Sequence, residues 1–249
     1  TIPVIPVGVI ERKGIFTAME GDTSFRTQPD PQATGHFTGK TTISIDGSLI
    51  DVMMQEIENL KEYPHGCTEQ ITSKLLSIHY EEVLKKLMGR KDFNNTRTKR
   101  MIINKIAAAQ NRDGSFGWFA NNSGDIRVSN YVLNALMKIN TDGNLNPIIN
   151  EGYNFLLNNL KNMDTLSLIS SLATLSQAQQ KAAYAFYVAG LDTANLDYYN
   201  KFALLKIKKE QGFDYKNELD TLLKKANVNE QGLSWGKESY DWYRNQLAT

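Results

Sequence analysis

The spacing of apolar residues changes once along the chain. Up to about Asp46, short runs with alternating side chains are separated by breaks that contain glycine or proline, a pattern typical of β-strands. After Gly47, apolar residues recur every three or four positions, as on the buried face of a helix. We therefore predict a small β segment over residues 1–47 and a mainly α-helical region over residues 48–249.

The helical region is predicted to form a series of helices joined by short links. Its clearest apolar stripes are Ile71, Leu75 and Ile78; Val128, Val132, Ala135, Leu136 and Ile139; Ile149, Tyr153, Leu156 and Leu160; and Leu166, Ile169, Leu172 and Leu175. Further helices are predicted near residues 48–61, 95–109, 178–189, 194–208 and 215–226, between breakers such as Asp-Gly and Asn-Pro. Short links make neighbouring helices antiparallel, so the run should pack as helical hairpins in a superhelix or a closed ring.

An internal similarity favours the ring. Residues 113–118 and residues 231–236 are each predicted to form a turn, with glycine and aromatic residues, ahead of a new helix. The second copy is cut short at Thr249, so we expect an incomplete ring that is truncated at its C-terminus.

Composition narrows the classes of partner. The 28 lysines and arginines nearly balance the 27 aspartates and glutamates, which disfavours nucleic acid and a basic membrane-binding surface. The chain begins at Thr1 without a long apolar run, so we expect a piece of a longer protein that makes no membrane contact itself. No motif predicts a cofactor or metal, and one cysteine cannot form an internal disulfide.

That cysteine lies in the sequence Tyr-Pro-His-Gly-Cys-Thr-Glu-Gln, residues 63–70, where a helix is predicted to begin near Thr68. Gly66 suits a turn whose backbone shape other residues resist. Positions three apart share a face in the first helical turn, so the Cys67 sulfur and the Gln70 carboxamide can meet. Loss of ammonia would join them as a thioester, and a helix N-terminus favours both the thiolate and the oxyanion that such chemistry needs.

A thioester of this kind captures other proteins. A lysine amine of the target attacks Gln70, which leaves an amide to the target and a free thiol at Cys67. The event occurs once per molecule, so we expect a single-use covalent trap and not an enzyme with turnover. Glu69 either orients the two partners or favours the helix N-terminus, and His65 is a candidate modulator of Cys67.

Residues 63–70 and the following Ile-Thr-Ser-Lys resemble the thioester region of the alpha-2-macroglobulin family, which includes the complement thioester proteins, and are most similar to its bacterial branch. Residues 114–119 and 129–136 are similar to a second block of that family. Residues 2–8 resemble a strand that enters from the preceding domain. One departure is His65, which stands where the family often has tyrosine.

The resemblance implies that residues 48–249 fold as an α/α toroid, the terpenoid cyclase-like fold, here truncated at the C-terminus. It implies a parent protein whose bait region is cleaved by a protease, after which the exposed thioester captures that protease through its lysine amines. The other domains of the parent chain would be partners of this one. The implied location is extracytoplasmic and periplasmic, in a lipid-anchored parent that defends the cell envelope.

Other interpretations stay open at this point. The chain could be a docking ring with an inert Cys67, because an isolated cysteine is usually a small buried apolar residue. A ring-fold enzyme, related to isoprenoid cyclases or glycan-degrading proteins, is another alternative. A cyclase would need an Asp-rich motif that the sequence lacks, and a fold alone does not assign a function. A cysteine hydrolase using His65 is a further alternative. Aromatic residues at 118, 119, 235, 242 and 243 could screen a thioester from water, but we interpret them as packing anchors.

Overall fold

The computed structural model describes residues 49–62, 66–91, 94–229, 232–236 and 246–247. These residues belong to one compact unit, Asp46–Thr249. The predicted β segment over residues 1–47 lies outside the described residues. The described part is mainly helical, as the apolar periodicity predicts.

Nine α-helices occur within the described residues. They are α1 (Leu49–Glu62), α2 (Thr68–Leu87), α3 (Thr96–Ala108), α4 (Ile126–Ile139), α5 (Asn146–Asn159), α6 (Thr165–Gln177), α7 (Tyr184–Ala189), α8 (Tyr198–Glu210) and α9 (Lys216–Leu223). A 3₁₀ turn, Leu160–Asn162, follows α5.

The predicted start of α7 is wrong by about one and a half turns because α6 ends in a motif that the sequence hides. Gln179 adopts a left-handed backbone with φ of 54°. The Gln180 N–H then donates to the Leu175 carbonyl at 2.9 Å, and the Gln179 N–H donates to the Ser176 carbonyl at 2.9 Å, which is the Schellman pattern. Glycine usually takes this position, so a glutamine there gives no warning of a helix end.

The predicted start of α8 is also too early. Asp197 is its N-cap residue, and its carboxylate accepts from the Asn200 N–H at 2.8 Å. That bond satisfies an N–H that has no partner inside the helix, so the helix begins at Tyr198.

Alternate helices form one row. Helix α2 packs on α4, α4 on α6, and α6 on α8, while α1 and α3 pack on α2, and α5 packs on α4. The predicted stripes supply much of the core, including Leu75, Val132, Leu136, Leu156 and Leu172, but Leu166 is 54% exposed and its predicted burial is wrong. A row of alternate helices fits a series of helical hairpins, and its closure into a toroid stays a prediction.

The residues that the structure describes after α9 are not helical. In them, three short strands form an antiparallel sheet in the order β1 (Asn227–Asn229), β2 (Gly232–Trp235), β3 (Gln246–Leu247). The predicted turn over residues 231–236 is therefore wrong where it is described, because Gly232–Trp235 is a strand paired to both neighbours. The Trp235 indole donates to the Leu222 carbonyl at 2.7 Å and its ring packs edge-on against Phe202, which holds the sheet to α8 and α9.

A buried carboxylate joins the first three helices. The Glu81 side chain on α2 binds Lys61 of α1 at 3.0 Å, Lys85 at 2.7 Å and the amide of Asn95, just before α3, at 3.2 Å. Burial raises the pKa of Glu81, but the hydrogen bonds from Lys85 and Lys61 outweigh it and hold that pKa below its ordinary value of 4.5.

Replacing Glu81 by glutamine should lower the free energy of unfolding by about 2 kcal/mol at pH 7, because two lysines lose their carboxylate partner. Because the pKa of Glu81 is lower in the folded protein, its full contribution to stability is present at a pH above its pKa in the unfolded chain. That contribution is lost as the pH falls through its pKa in the folded protein. Urea unfolding from pH 7 down to pH 3 should therefore show a shallower acid loss in Glu81→Gln. Glu58→Gln is the control, since its exposed ion pair with Lys61 contributes less than about 0.5 kcal/mol.

A second prediction concerns Gly114, which has φ of 86° and lies against α5, where an added Cβ would be 2.1 Å from the Glu151 carbonyl oxygen. Gly89 has φ of 69° but open space around it. Gly89→Ala should cost about 1 kcal/mol of unfolding free energy for the left-handed backbone, and Gly114→Ala about 3 kcal/mol, because the clash adds to the same strain. Equal values in urea unfolding would contradict the close packing of residue 114.

Candidate functional site

Cys67 is the N-cap residue of α2, with an extended backbone at φ −68° and ψ 159°, and it is only 8% exposed. Gln70 occupies the third helical position. The Cys67 N–H lies 3.4 Å from Gln70 Oε1, and the Cys67 side chain faces the Gln70 N–H, so the two residues form a reciprocal capping box. The structure thus brings the carboxamide of Gln70 back over Cys67, and thioester formation between them stays a prediction.

The start of α2 is held by a backbone contact from a distant turn. The Thr68 N–H donates to the Trp118 carbonyl at 2.8 Å. Thr68 and Thr72 are both buried, and the Thr72 hydroxyl donates to the Thr68 carbonyl at 2.8 Å. This anchoring fixes the first turn of α2, and with it Cys67, against the segment that precedes α4.

The expected role of Gly66 is wrong. Its backbone is not left-handed, and an added Cβ would meet nothing within 4 Å. Any small residue therefore fits the local geometry, and the chain reaches Cys67 without a conformation reserved for glycine. Pro64 and His65 lie outside the described residues, so the predicted turn before Gly66, the modulator role of His65 and the cysteine hydrolase all stay predictions.

Glu69 lies between the thiol and a polar pair that joins two helices. The Cys67 thiol is 3.8 Å from Glu69 Oε2, and the Ser73 hydroxyl is 3.4 Å from Glu69 Oε1. Ser73 Oγ and the Tyr131 hydroxyl of α4 are 2.8 Å apart. Ser73 and Tyr131 were not predicted from the sequence, although Ser73 stands four positions after Glu69 and so shares its face of the helix.

Tyr131 keeps its proton at neutral pH. Burial raises its pKa above 10, and the nearby Glu69 charge acts in the same direction, while the hydrogen bond to Ser73 acts against them. The phenol is therefore available as a hydrogen-bond donor toward Ser73.

Aromatic residues near the start of α2 do not all pack as interpreted. Trp118 is 43% exposed and Phe119 is 58% exposed, so their interpretation as packing anchors is wrong. The anchor of this turn is Phe116, which is fully buried. Trp235 is buried and confirms the interpretation, whereas residues 242 and 243 lie outside the described residues.

Two further polar side chains have partners of their own. His79 is half-buried against the Tyr80 ring, and burial together with Lys99 lowers its pKa. Asp113 accepts from the Ser115 N–H and hydroxyl, as expected of an aspartate in a turn. In the described ranges, no group of three or more potential ligands is placed to hold a metal ion, and no helix is long and apolar enough to cross a membrane.

Comparison with known proteins adds no relative: no protein-family model, curated protein or solved structure matches this chain. The similarity to the alpha-2-macroglobulin family therefore stays a prediction, resting on the residues around Cys67 and on the second block near Trp118.

Asp125 links the exposed Trp118 to the start of α4. Its carboxylate accepts from the Arg127 and Val128 N–H groups at 2.8 and 3.1 Å and from the Trp118 indole at 3.2 Å. Asp125→Ala should lower the free energy of unfolding by about 1.5 kcal/mol through the lost N-cap, whereas Asp125→Asn should retain most of it. Urea unfolding measures both variants, and an equal loss in the two would contradict the capping role.

Proposed function

We propose that this chain is a single-use covalent capture module, in which Cys67 and Gln70 form an internal thioester that a lysine amine of a target protein opens. The observation that carries this proposal is the capping box at the start of α2, because it holds the Gln70 carboxamide against Cys67. The spacing of Cys67 and Gln70 in the sequence already favours their contact. The carboxamide that folds back toward Cys67 in the structure is a second, separate observation in its support.

The chemistry conserves every atom. In formation, the Cys67 sulfur attacks the carboxamide carbon of Gln70, the C–N bond breaks and ammonia leaves. In capture, an uncharged lysine amine attacks the same carbon, the C–S bond breaks, and the products are an amide to the target and the Cys67 thiol. The amide to the target is more stable than the thioester that it replaces, so each chain reacts once.

The surroundings of Cys67 suit both steps. The N–H groups of the first turn of a helix lack partners inside that helix, and they favour an anionic sulfur or oxyanion. Burial of Cys67 keeps water from the sulfur, which matters because a thioester persists only where it is shielded. The anchored first turn keeps both partners in this environment.

We extend the proposal to the setting that the family resemblance implies. The target would be a protease that cleaves a parent protein of the bacterial alpha-2-macroglobulin type, and the parent would be periplasmic and lipid-anchored. In that parent, the row of alternate helices would belong to an α/α toroid. The support for this extension is the motif over residues 63–70 together with the helical hairpins, and it is separate from the support for the chemistry.

A second candidate function is a docking module with an inert Cys67. Its support is the exposure of Trp118 and Phe119 beside the start of α2, since exposed neighbouring aromatic side chains are typical of protein-binding surfaces. Reactivity at Gln70 separates the two candidates.

Methylamine provides the direct test of capture. Incubation of the freshly prepared protein should add the mass of one methylamine at Gln70 and release one titratable thiol. The thiol assay is unambiguous because the chain has a single cysteine. Peptide mapping by mass spectrometry should place the label on Gln70 alone.

Two controls define the outcome. Cys67→Ala should abolish the label. Gln110 should stay unlabelled, since its amide nitrogen donates to the Gly114 carbonyl and to the Ile148 carbonyl of α5. Unlabelled Gln70 in the wild-type protein would refute the capture proposal. The exposed side chains of Trp118 and Phe119 would then favour the docking module.

A further inference from the structure

Glu69 is placed between the reacting thiol and a second helix. One carboxylate oxygen lies 3.8 Å from Cys67 Sγ, and the other lies 3.4 Å from the Ser73 hydroxyl. Ser73 in turn contacts the Tyr131 hydroxyl at 2.8 Å. The contacts run from the thiol at the start of α2 to a phenol on α4, although Tyr131 lies 58 positions beyond Ser73 in the sequence.

The number of hydroxyl hydrogens decides which group donates in each of these hydrogen bonds. A serine hydroxyl has a single hydrogen, which Ser73 directs to Glu69, shared between its carbonyl oxygen at 3.0 Å and Oε1 at 3.4 Å. Tyr131 must then donate to Ser73. An ionised Glu69 accepts at one oxygen from Ser73 and keeps the other free for the thiol hydrogen.

We propose that Glu69 is the proton acceptor for the Cys67 thiol, and that Ser73 and Tyr131 are positioning residues that hold its carboxylate. This inference rests on the proposed function. In formation, Glu69 takes the proton from the thiol as sulfur attacks Gln70, and it returns that proton to the departing nitrogen, so ammonia leaves as a neutral molecule.

The same group serves capture in the opposite direction. As the target amine attacks Gln70, Glu69 takes a proton from the nitrogen and delivers it to the departing Cys67 sulfur. Both steps end with Glu69 ionised as it began. One carboxylate therefore handles the proton in formation and in capture, and the reaction needs no histidine.

A purely structural role for Glu69 makes a different prediction. An acidic residue in the first turn of a helix stabilises it through the helix dipole, whatever its side chain contacts. That role needs neither Ser73 nor Tyr131, and an external carboxylate could not replace it. Chemical rescue and the hydroxyl variants therefore distinguish proton transfer from helix stabilisation.

The experiment compares the rate of methylamine incorporation at Gln70 in the full 249-residue chain. Glu69→Gln should reduce the rate about 100-fold, within the range for loss of a general acid–base group. Tyr131→Phe and Ser73→Ala should each reduce it about 10-fold, and Ser73→Thr should restore it because the hydroxyl returns. Added formate should accelerate Glu69→Ala by supplying the missing carboxylate, and should leave the wild-type rate unchanged.

Matched controls are Glu82→Gln, on the same helix but paired with Lys99, and Tyr199→Phe, on the exposed side of α8. Both should react at the wild-type rate, and circular dichroism checks the folding of every variant. Wild-type rates in Glu69→Gln, or in both Tyr131→Phe and Ser73→Ala, would overturn the inference while leaving the proposed function intact. Lack of incorporation in the wild-type chain would overturn both.

Discussion

The hydrogen bond from the Thr68 N–H to the Trp118 carbonyl is the constraint on which the site depends. The first N–H groups of a helix have no partners within it, and in a buried position each needs an acceptor. Here the acceptor comes from a turn 50 positions later, at 2.8 Å. It fixes the beginning of α2 against the segment that precedes α4. Cys67 and Gln70 therefore lie at a packed contact between α2 and that segment and not at a frayed helix end.

Similar polar contacts join the other helices of the row. The row of α2, α4, α6 and α8 is joined by polar contacts as well as by its apolar core. The Ser73–Tyr131 pair links α2 to α4, Asn130 donates to Ser171 of α6 at 2.9 Å, and Ser176 donates to Glu210 of α8 at 2.6 Å. Because a buried polar group loses stability without its partner, such pairs specify how each helix aligns with the next. The contacts that align the first pair also reach Glu69, so scaffold and candidate chemistry share the same side chains.

Features that depend on residues close together in the sequence were predicted better than features that depend on distant residues or on a single residue. Apolar periodicity predicts α1 to α6 well because burial of one face decides where those helices form. It fails near Gln179 and Asp197, where single residues set the boundaries, and at Gly232–Trp235, where two short alternating runs pair as strands.

The candidate site divides in the same way. Cys67 and Gln70 are three positions apart, so a local rule brings them together. Ser73 and Tyr131 are 58 positions apart, and the contact between them depends on how α2 packs against α4. The carbonyl of Trp118 is a backbone group, for which no residue type is a signal.

The intact mass of the freshly purified protein is the most direct measurement, and the account predicts a mass lower by one ammonia, with no such change in Cys67→Ala. An unmodified mass with an intact carboxamide at Gln70 would contradict it.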